Sequence, residues 1–365
     1  MTTVNTTESL EGLLGRNSER IKAALIIVVA ADHNDWFRLL APNVFEPLTF
    51  HVLGFFFLAF TFGTKEWSLR FIADRVARYL VPYWWALSGA TLAYFLIYRT
   101  HSSASDSFVA WGLAMLIGNA PFAKSASGLL MLWFLPSLFG LTCLLAAFDS
   151  STLSRYKYGG LGIALAAHLT IPLLPRSEIL WLPFGFAIAL NIFFLGLVWR
   201  QLLNLRLPKM WGPIVTLVFV ISYGALVSGQ VHLEVATLEL AGINSPKAML
   251  FQDLSGIAGV LAVVWLVSIP KDVQWLEAIG KNSLMVYLLH PVAYVVIGKL
   301  LPSISGKVAT QPQLLLYGCL TTCIALGSAY AFSVFVTRSA FLSAWVIPKT
   351  WTQWPPAARF LRKGD

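Results

Sequence analysis

Charge is scarce in this sequence. Only 12% of its 365 residues are Asp, Glu, Lys or Arg, where a soluble domain carries about 25%. So few charges cannot cover the surfaces of the soluble domains that such a length would allow. The same scarcity excludes a secreted or disordered hydrophilic chain. Cysteine is nearly absent as well. Cys143, Cys319 and Cys323 lie inside apolar runs, which excludes a disulfide framework and reads as small apolar helix residues. The first 20 residues are polar and carry Glu8, Glu11 and Glu19, so no cleaved signal peptide is expected. No metal is expected either. No metal-ligand spacing links the six histidines, and His101, His168 and His232 show no partner pattern.

What is present is apolar, at 57% of residues, and it comes in long runs. A membrane helix needs about 20 mostly apolar residues. Ten stretches qualify, near 22–41, 47–64, 79–98, 128–148, 158–175, 181–199, 211–229, 254–270, 283–301 and 313–337. The expected fold is all-α, a polytopic integral membrane protein of about ten transmembrane helices, since backbone groups in lipid must be bonded within the segment. Pro172, Pro208, Pro270 and Pro302 mark span ends. Residues 1–20 form a cytoplasmic tail, 21–338 the transmembrane domain and 339–365 a second cytoplasmic tail. The longest connection, near 99–127, includes Phe108–Ile117, a stretch suited to lying along the membrane surface.

The net charge of +9 invites a nucleic-acid reading, but its distribution gives another. Nineteen of the 26 Lys and Arg fall at the termini and on alternate turns, and seven on the other side. The positive-inside rule then places both termini in the cytoplasm. No nucleic-acid partner is needed. Asn5-Thr6-Thr7 fits a glycosylation sequon but falls on the cytoplasmic side.

Few ionisable residues break the apolar runs. Nine apolar residues follow Lys22 before Asp32, His33, Asn34 and Asp35. His33 stands eleven residues after Lys22, about 16 Å of helical rise and on nearly the same face. Ionisable groups at such depth are costly and usually functional. The bland alternative is a short helix whose polar end is simply its outer end. Asp32 and His33 diverge by about 100° on a helix, so a carboxylate for His33 is expected from Asp35 or another helix. Arg75 and Arg78 are three apart and share a helix face. Two close guanidinium groups suit a phosphate between them. The alternative is orientation by positive-inside charge, with Asp74 pairing Arg78 at i,i+4.

These residues together resemble membrane acyltransferase family three, in its fucose O-acetylase-like branch. Lys22 and His33 match its motif of a basic residue, ten residues and His. Arg75 and Arg78, followed by Pro82-Tyr83, match its Arg-x-x-Arg motif. Phe50-His51-Val52-Leu53-Gly54-Phe55-Phe56-Phe57 is similar to its His- and Phe-rich second helix. Trp133-Phe134-Leu135-Pro136 is similar to its mid-chain segment. Ile279-Gly280-Lys281-Asn282-Ser283-Leu284, continuing through Tyr287 to His290, resembles its late signature. These motifs run in the family's order over residues 20–291. Two departures stand out: Asp32 where the family often has Gly, and Ala59-Phe60-Thr61-Phe62 where it often has Ser-Gly.

The resemblance implies transfer of an acyl group, acetyl first, from cytoplasmic acyl-CoA to a hydroxyl of a cell-surface glycan. It implies a multi-pass protein of the bacterial inner membrane, surrounded by lipid. His33 is the expected general base, with Asp32 and Asp35 as carboxylate candidates. A covalent acyl-His step is a variant. CoA phosphates are expected at Arg75 and Arg78 with help from Lys22. His51, Tyr83, Trp133, Ser283, Tyr287 and His290 are further pocket candidates. For His51 packing is the competing role, for His290 a satisfied buried histidine. Trp133 and Trp181 could stack on sugar or sit in an interfacial belt. A transporter or flippase, or an acyltransferase acting on a lipid or secreted metabolite, are the alternative functions. The oligomeric state stays open.

Overall fold

Ser9 opens the first helix. Its side chain accepts the Gly12 N–H at 3.3 Å, and Glu11 lies in the first turn, where its charge complements the helix dipole. In the computed structural model, residues 9–45, 50–62, 67–97, 104–127, 130–151, 157–170, 183–208, 210–228, 246–270, 273–300 and 310–357 are described. Among them every regular element is helical. In chain order these are α1 (Leu10–Asp32), α2 (Asp35–Leu40), α3 (Pro42–Phe45), α4 (Phe50–Phe62) and α5 (Leu69–Arg75). A π-helical turn (Val76–Leu80) joins α5 to α6 (Val81–Ile97). Then come α7 (Ala104–Ile117), α8 (Ala120–Ser127), α9 (Phe134–Ser150), α10 (Lys157–Thr170), α11 (Phe186–Leu203) and α12 (Trp211–Val227). The chain continues with α13 (Pro246–Ser268), α14 (Gln274–Lys281), α15 (Ser283–Leu300), α16 (Gln311–Arg338) and α17 (Ala340–Val346).

α13 and α16 contain the two stretches long and apolar enough to cross a membrane, Met249–Ser268 and Gln311–Arg338. Shorter apolar helices include Phe50–Phe62, Phe134–Ser150, Trp211–Val227 and Ser283–Ile297. His101, Trp181, His232 and the Asn5 sequon lie outside the described residues.

The chain divides into two units. The first comprises residues 1–61 and 195–333. α1 is its centre and packs on α13, α14 and α15. Leu10, Leu13, Leu14, Ile21, Leu25, Ile26 and Val29 are buried, which gives the three- and four-residue spacing of one helix face. Arg20 fixes the register, bonding Glu277 at 2.8 Å and the Pro270 carbonyl at 2.7 Å. Gly280, within the late signature, allows α14 to approach α1 closely. A Cβ at Gly280 would overlap the Glu19 carbonyl. Backbone cannot swing away as a side chain can, so Gly280→Val is expected to cost at least ~1–3 kcal/mol. The check is a lowered thermal midpoint of the purified protein in detergent. The Phe-rich α4 is core: Phe56, Phe57 and Phe60 are fully buried. Phe57 stacks on Trp199 at 4.6 Å, and the Trp199 indole donates to Thr61.

The first span differs from expectation. α1 starts at Leu10, twelve residues before the expected edge, and ends at Asp32. His33 is its C-cap at φ −84°, ψ 7°. Asn34 is extended and caps α2 by accepting the Trp36 N–H at 2.9 Å. A helix end leaves carbonyls without intrahelical donors. Here they are taken up from elsewhere. The Tyr294 hydroxyl donates to the Ala30 carbonyl at 2.8 Å, and Arg38 Nε to the Asp32 carbonyl at 2.6 Å. The Asn34 amide donates to Gly318 O, Thr321 Oγ1 and Thr322 Oγ1 of α16 at 2.8–3.0 Å. The break is therefore a built feature held on both sides.

The second unit comprises residues 62–194 and 334–365. α6, α7 and α8 pack together. The Tyr83 hydroxyl donates to the Ala114 carbonyl at 2.9 Å, and the Trp84 indole to Met115 O at 3.0 Å. The stretch expected along the membrane surface is thus tied to α6. α17 packs on α6, and the Trp85 indole donates to Trp345 O at 2.9 Å. His168 contacts the Asn191 carbonyl through Nδ1 at 2.8 Å and is buried.

Candidate active site

The break after Asp32 turns its side chain and that of His33 into one place. Asp32 Oδ2 lies 3.8 Å from His33 Nδ1 and 3.9 Å from His51 Nε2. Arg38 Nη2 stands 3.5 Å from the same oxygen. The His33 and His290 rings stack with centroids 5.8 Å apart and planes 17° apart. Tyr287 tilts against His290 at 5.9 Å. Three elements bring these groups together: the α1–α2 break, α4 and α15. All belong to the first unit.

The carboxylate beside His33 is therefore Asp32, where helical angles alone pointed to Asp35 or another helix. The 100° rule holds inside a helix, and His33 has already left it. Asp35 opens α2 and is exposed. His51 contacts the Asp32 carboxylate as well as packing against Phe50.

Burial makes this cluster expensive. Asp32, His51 and His290 are almost fully buried, and His33 is half-buried. Asp32 Oδ1, His51 Nδ1 and His290 Nε2 have no protein hydrogen-bond partner among the described residues. The other His290 nitrogen is used, with Nδ1 3.1 Å from the Val286 carbonyl. Buried polar atoms are nearly always bonded, so the three unbonded ones gathered here single this cluster out as the candidate site. The distances around Asp32 exceed direct hydrogen-bond length, so the groups are poised rather than locked. Among the described residues no three His, Cys, Asp or Glu side chains are grouped to hold a metal ion.

Arg38 and Asn34 hold this cluster in place, a part that the sequence reading assigned to neither. Arg38 counted only as an outer-side charge, yet it grips both the backbone and the carboxylate of Asp32. Lys22 pairs with Glu19 at 2.7 Å. A carboxylate already neutralises it, which makes it a weaker phosphate ligand than the arginines. Ser283 is buried at the start of α15, next to Asn282, whose side chain accepts from Ser333 at 2.8 Å.

Arg75 and Arg78 belong to the second unit; Arg75 immediately precedes the π-helical turn and Arg78 lies within it. Such turns are rare and frequent at functional sites. The Arg75 guanidinium lies 4.7 Å over the Phe71 ring, and both arginines lie about 6 Å from the Tyr79 ring. Asp74 does not pair with Arg78. It accepts the Trp351 backbone N–H at 2.9 Å. Among the described residues neither arginine has a carboxylate partner, and Arg75 Nε is buried with no acceptor. Tyr83 and Trp133 sit in the same unit. The Tyr83 hydroxyl is engaged in packing, and half-buried Trp133 lies edge-on to Phe134.

No curated protein and no solved structure is similar enough to the chain to count as a match. A family model described as an acyltransferase domain matches residues 21–334. It spans α1 to α16, and so includes the helix break, the three clustered histidines and the arginine turn. The chain belongs to membrane acyltransferase family three.

Proposed function

We propose that the protein moves an acyl group, acetyl first, from cytoplasmic acyl-CoA to a hydroxyl of a cell-surface or exported polysaccharide. It would do so as a multi-pass protein of the bacterial inner membrane, with about ten spans and both termini cytoplasmic. The observation that carries the reading is the buried meeting of Asp32, His33, His51 and His290 at a built helix break. His33 Nδ1 faces the Asp32 carboxylate, which leaves Nε2 for the acceptor. His33 takes the hydroxyl proton as general base. The oxygen attacks the thioester carbonyl, and the tetrahedral intermediate collapses with cleavage of the C–S bond. The proton passes from the imidazolium to the departing CoA thiolate. Asp32 orients the ring and stabilises the imidazolium, as the carboxylate does in hydrolase triads.

Arg75 and Arg78 are proposed to hold the donor's phosphates. Both lack a carboxylate partner among the described residues, and arginine binds phosphate in a bidentate fork. Replacing either by Ala is expected to raise the apparent KM for acetyl-CoA about tenfold, with kcat little changed. Steady-state assays at varied donor concentration check this, and an unchanged KM returns the pair to a topological role.

The class and acceptor are tested together by comparing surface polysaccharide from cells with and without the protein. Mass and NMR analysis should find an O-acyl group that vanishes on deletion. An unchanged polysaccharide with an altered lipid or secreted metabolite would move the acceptor. Substrate crossing the membrane without acyl-CoA consumption would replace the enzyme by a transporter.

A further inference from the structure

The family match ends at residue 334, yet residues 335–357 beyond it fold back on the second unit. After α17, Ile347-Pro348-Lys349-Thr350 leads into a 3-10 turn, Trp351–Gln353. This turn packs on α5 and on the π-helical turn of the arginine pair. The Trp351 N–H is bonded to Asp74 at 2.9 Å, directly beside Arg75 in sequence. Trp354 lies 5.3 Å from Trp351 and 6.2 Å from Trp84. A tail expected to be a plain cytoplasmic extension thus brings two tryptophans, through the Trp351 backbone, beside the turn that carries two cations.

Interfacial anchoring is the ordinary use of membrane-protein tryptophans, with the indole N–H reaching the wet boundary. This cluster departs from that pattern. Trp345 Nε1 and Trp354 Nε1 are buried without a hydrogen-bond acceptor among the described residues, and so is Arg75 Nε. Indole rings next to guanidinium groups that have no carboxylate partner among the described residues suit one ligand chemistry. A purine offers a π face and ring-nitrogen acceptors, and its phosphates need cations.

We propose that Trp351 and Trp354, pinned to the arginine turn by Asp74, seat the adenine ring of the CoA donor while Arg75 and Arg78 hold its phosphates. The proposal rests on the acyl-CoA reading above and extends it to a segment outside the family domain. Stacking on an aromatic side chain is strong enough for its loss to weaken donor binding about tenfold.

The test compares two donors on the full-length protein in membranes. Acetyl-CoA carries the nucleotide, and S-acetylpantetheine has the same thioester without it. Trp351→Ala and Trp354→Ala are each expected to raise KM for acetyl-CoA about tenfold and leave kcat/KM for S-acetylpantetheine unchanged. Trp351→Phe and Trp354→Phe should restore most of the acetyl-CoA affinity. An unchanged KM for acetyl-CoA overturns the proposal. Equal losses with both donors also overturn it, because they assign the tail to folding or membrane anchoring. If the wild-type protein uses neither acetyl-CoA nor a longer acyl-CoA, the acyl-CoA reading falls, and this one with it. An active wild type with indifferent tail variants rejects this one alone.

Discussion

Membranes carrying His33→Ala should transfer labelled acetyl groups from acetyl-CoA about a thousand times more slowly than wild type. Loss of a positioned general base removes 10²–10⁴-fold in rate, and the effect should fall on kcat. The substitution leaves the supports of the helix break in place. The His33 backbone N–H bonds the Val29 carbonyl, and Asn34, Tyr294 and Arg38 hold the carbonyls and the cap around it. A thermal midpoint near that of wild type should accompany the loss. Full residual transfer would remove His33 from the chemistry. Mixing with labelled acetyl-CoA in the absence of acceptor separates the two variants of mechanism: release of one CoA thiol per protein marks an acyl-His intermediate, and a thioester that stays intact marks direct transfer.

Much of the candidate site was legible in the sequence because burial of ionisable residues is costly enough to be conspicuous. Asp32 and His33 stood out against an apolar run for that reason, and Lys22, Arg75 and Arg78 for their place beside such runs. Their partners did not stand out, and the causes differ. The angle between Asp32 and His33 was misjudged because a helical step was applied across a helix end. Asn34, a good N-cap residue one position later, was the local signal that the helix stops there. With the break known, Arg38 comes within reach of Asp32 across a single turn of α2. His290 lies 257 residues from His33, and only the packing of α1 on α15 brings their rings together. The Asp74–Arg78 pair failed for another reason. An i,i+4 neighbour requires α-helical register, and the π-helical turn begins between the two residues. The role of Trp351 depends on a tail folding back over 277 residues to Asp74.

Asp32→Asn should be nearly as damaging as loss of His33, while Asp35→Asn should leave turnover close to wild type. Asn keeps the shape of Asp and removes its charge. In the proposed reaction His33 passes through an imidazolium, and a buried cation without an opposing charge is costly. The only carboxylate oxygen that the structure places near Nδ1 among the described residues is Asp32 Oδ2, at 3.8 Å. An amide there stabilises the imidazolium poorly, and it can present an N–H to Nδ1 and select the wrong tautomer. In hydrolase triads the corresponding change costs about 10⁴-fold in kcat. A loss of 10²-fold or more is expected here, with the longer carboxylate distance and the nearby Arg38 making the smaller figure apt. KM for acetyl-CoA should barely move, because the proposed donor ligands lie elsewhere in the chain. Asp35 is exposed at the start of α2, where its charge contributes only about 0.3–1 kcal/mol to the helix end. Steady-state kinetics of the two variants side by side decide the matter. If Asp32→Asn keeps its kcat while Asp35→Asn loses it, the carboxylate of the site is Asp35, and the break must rearrange when substrate binds.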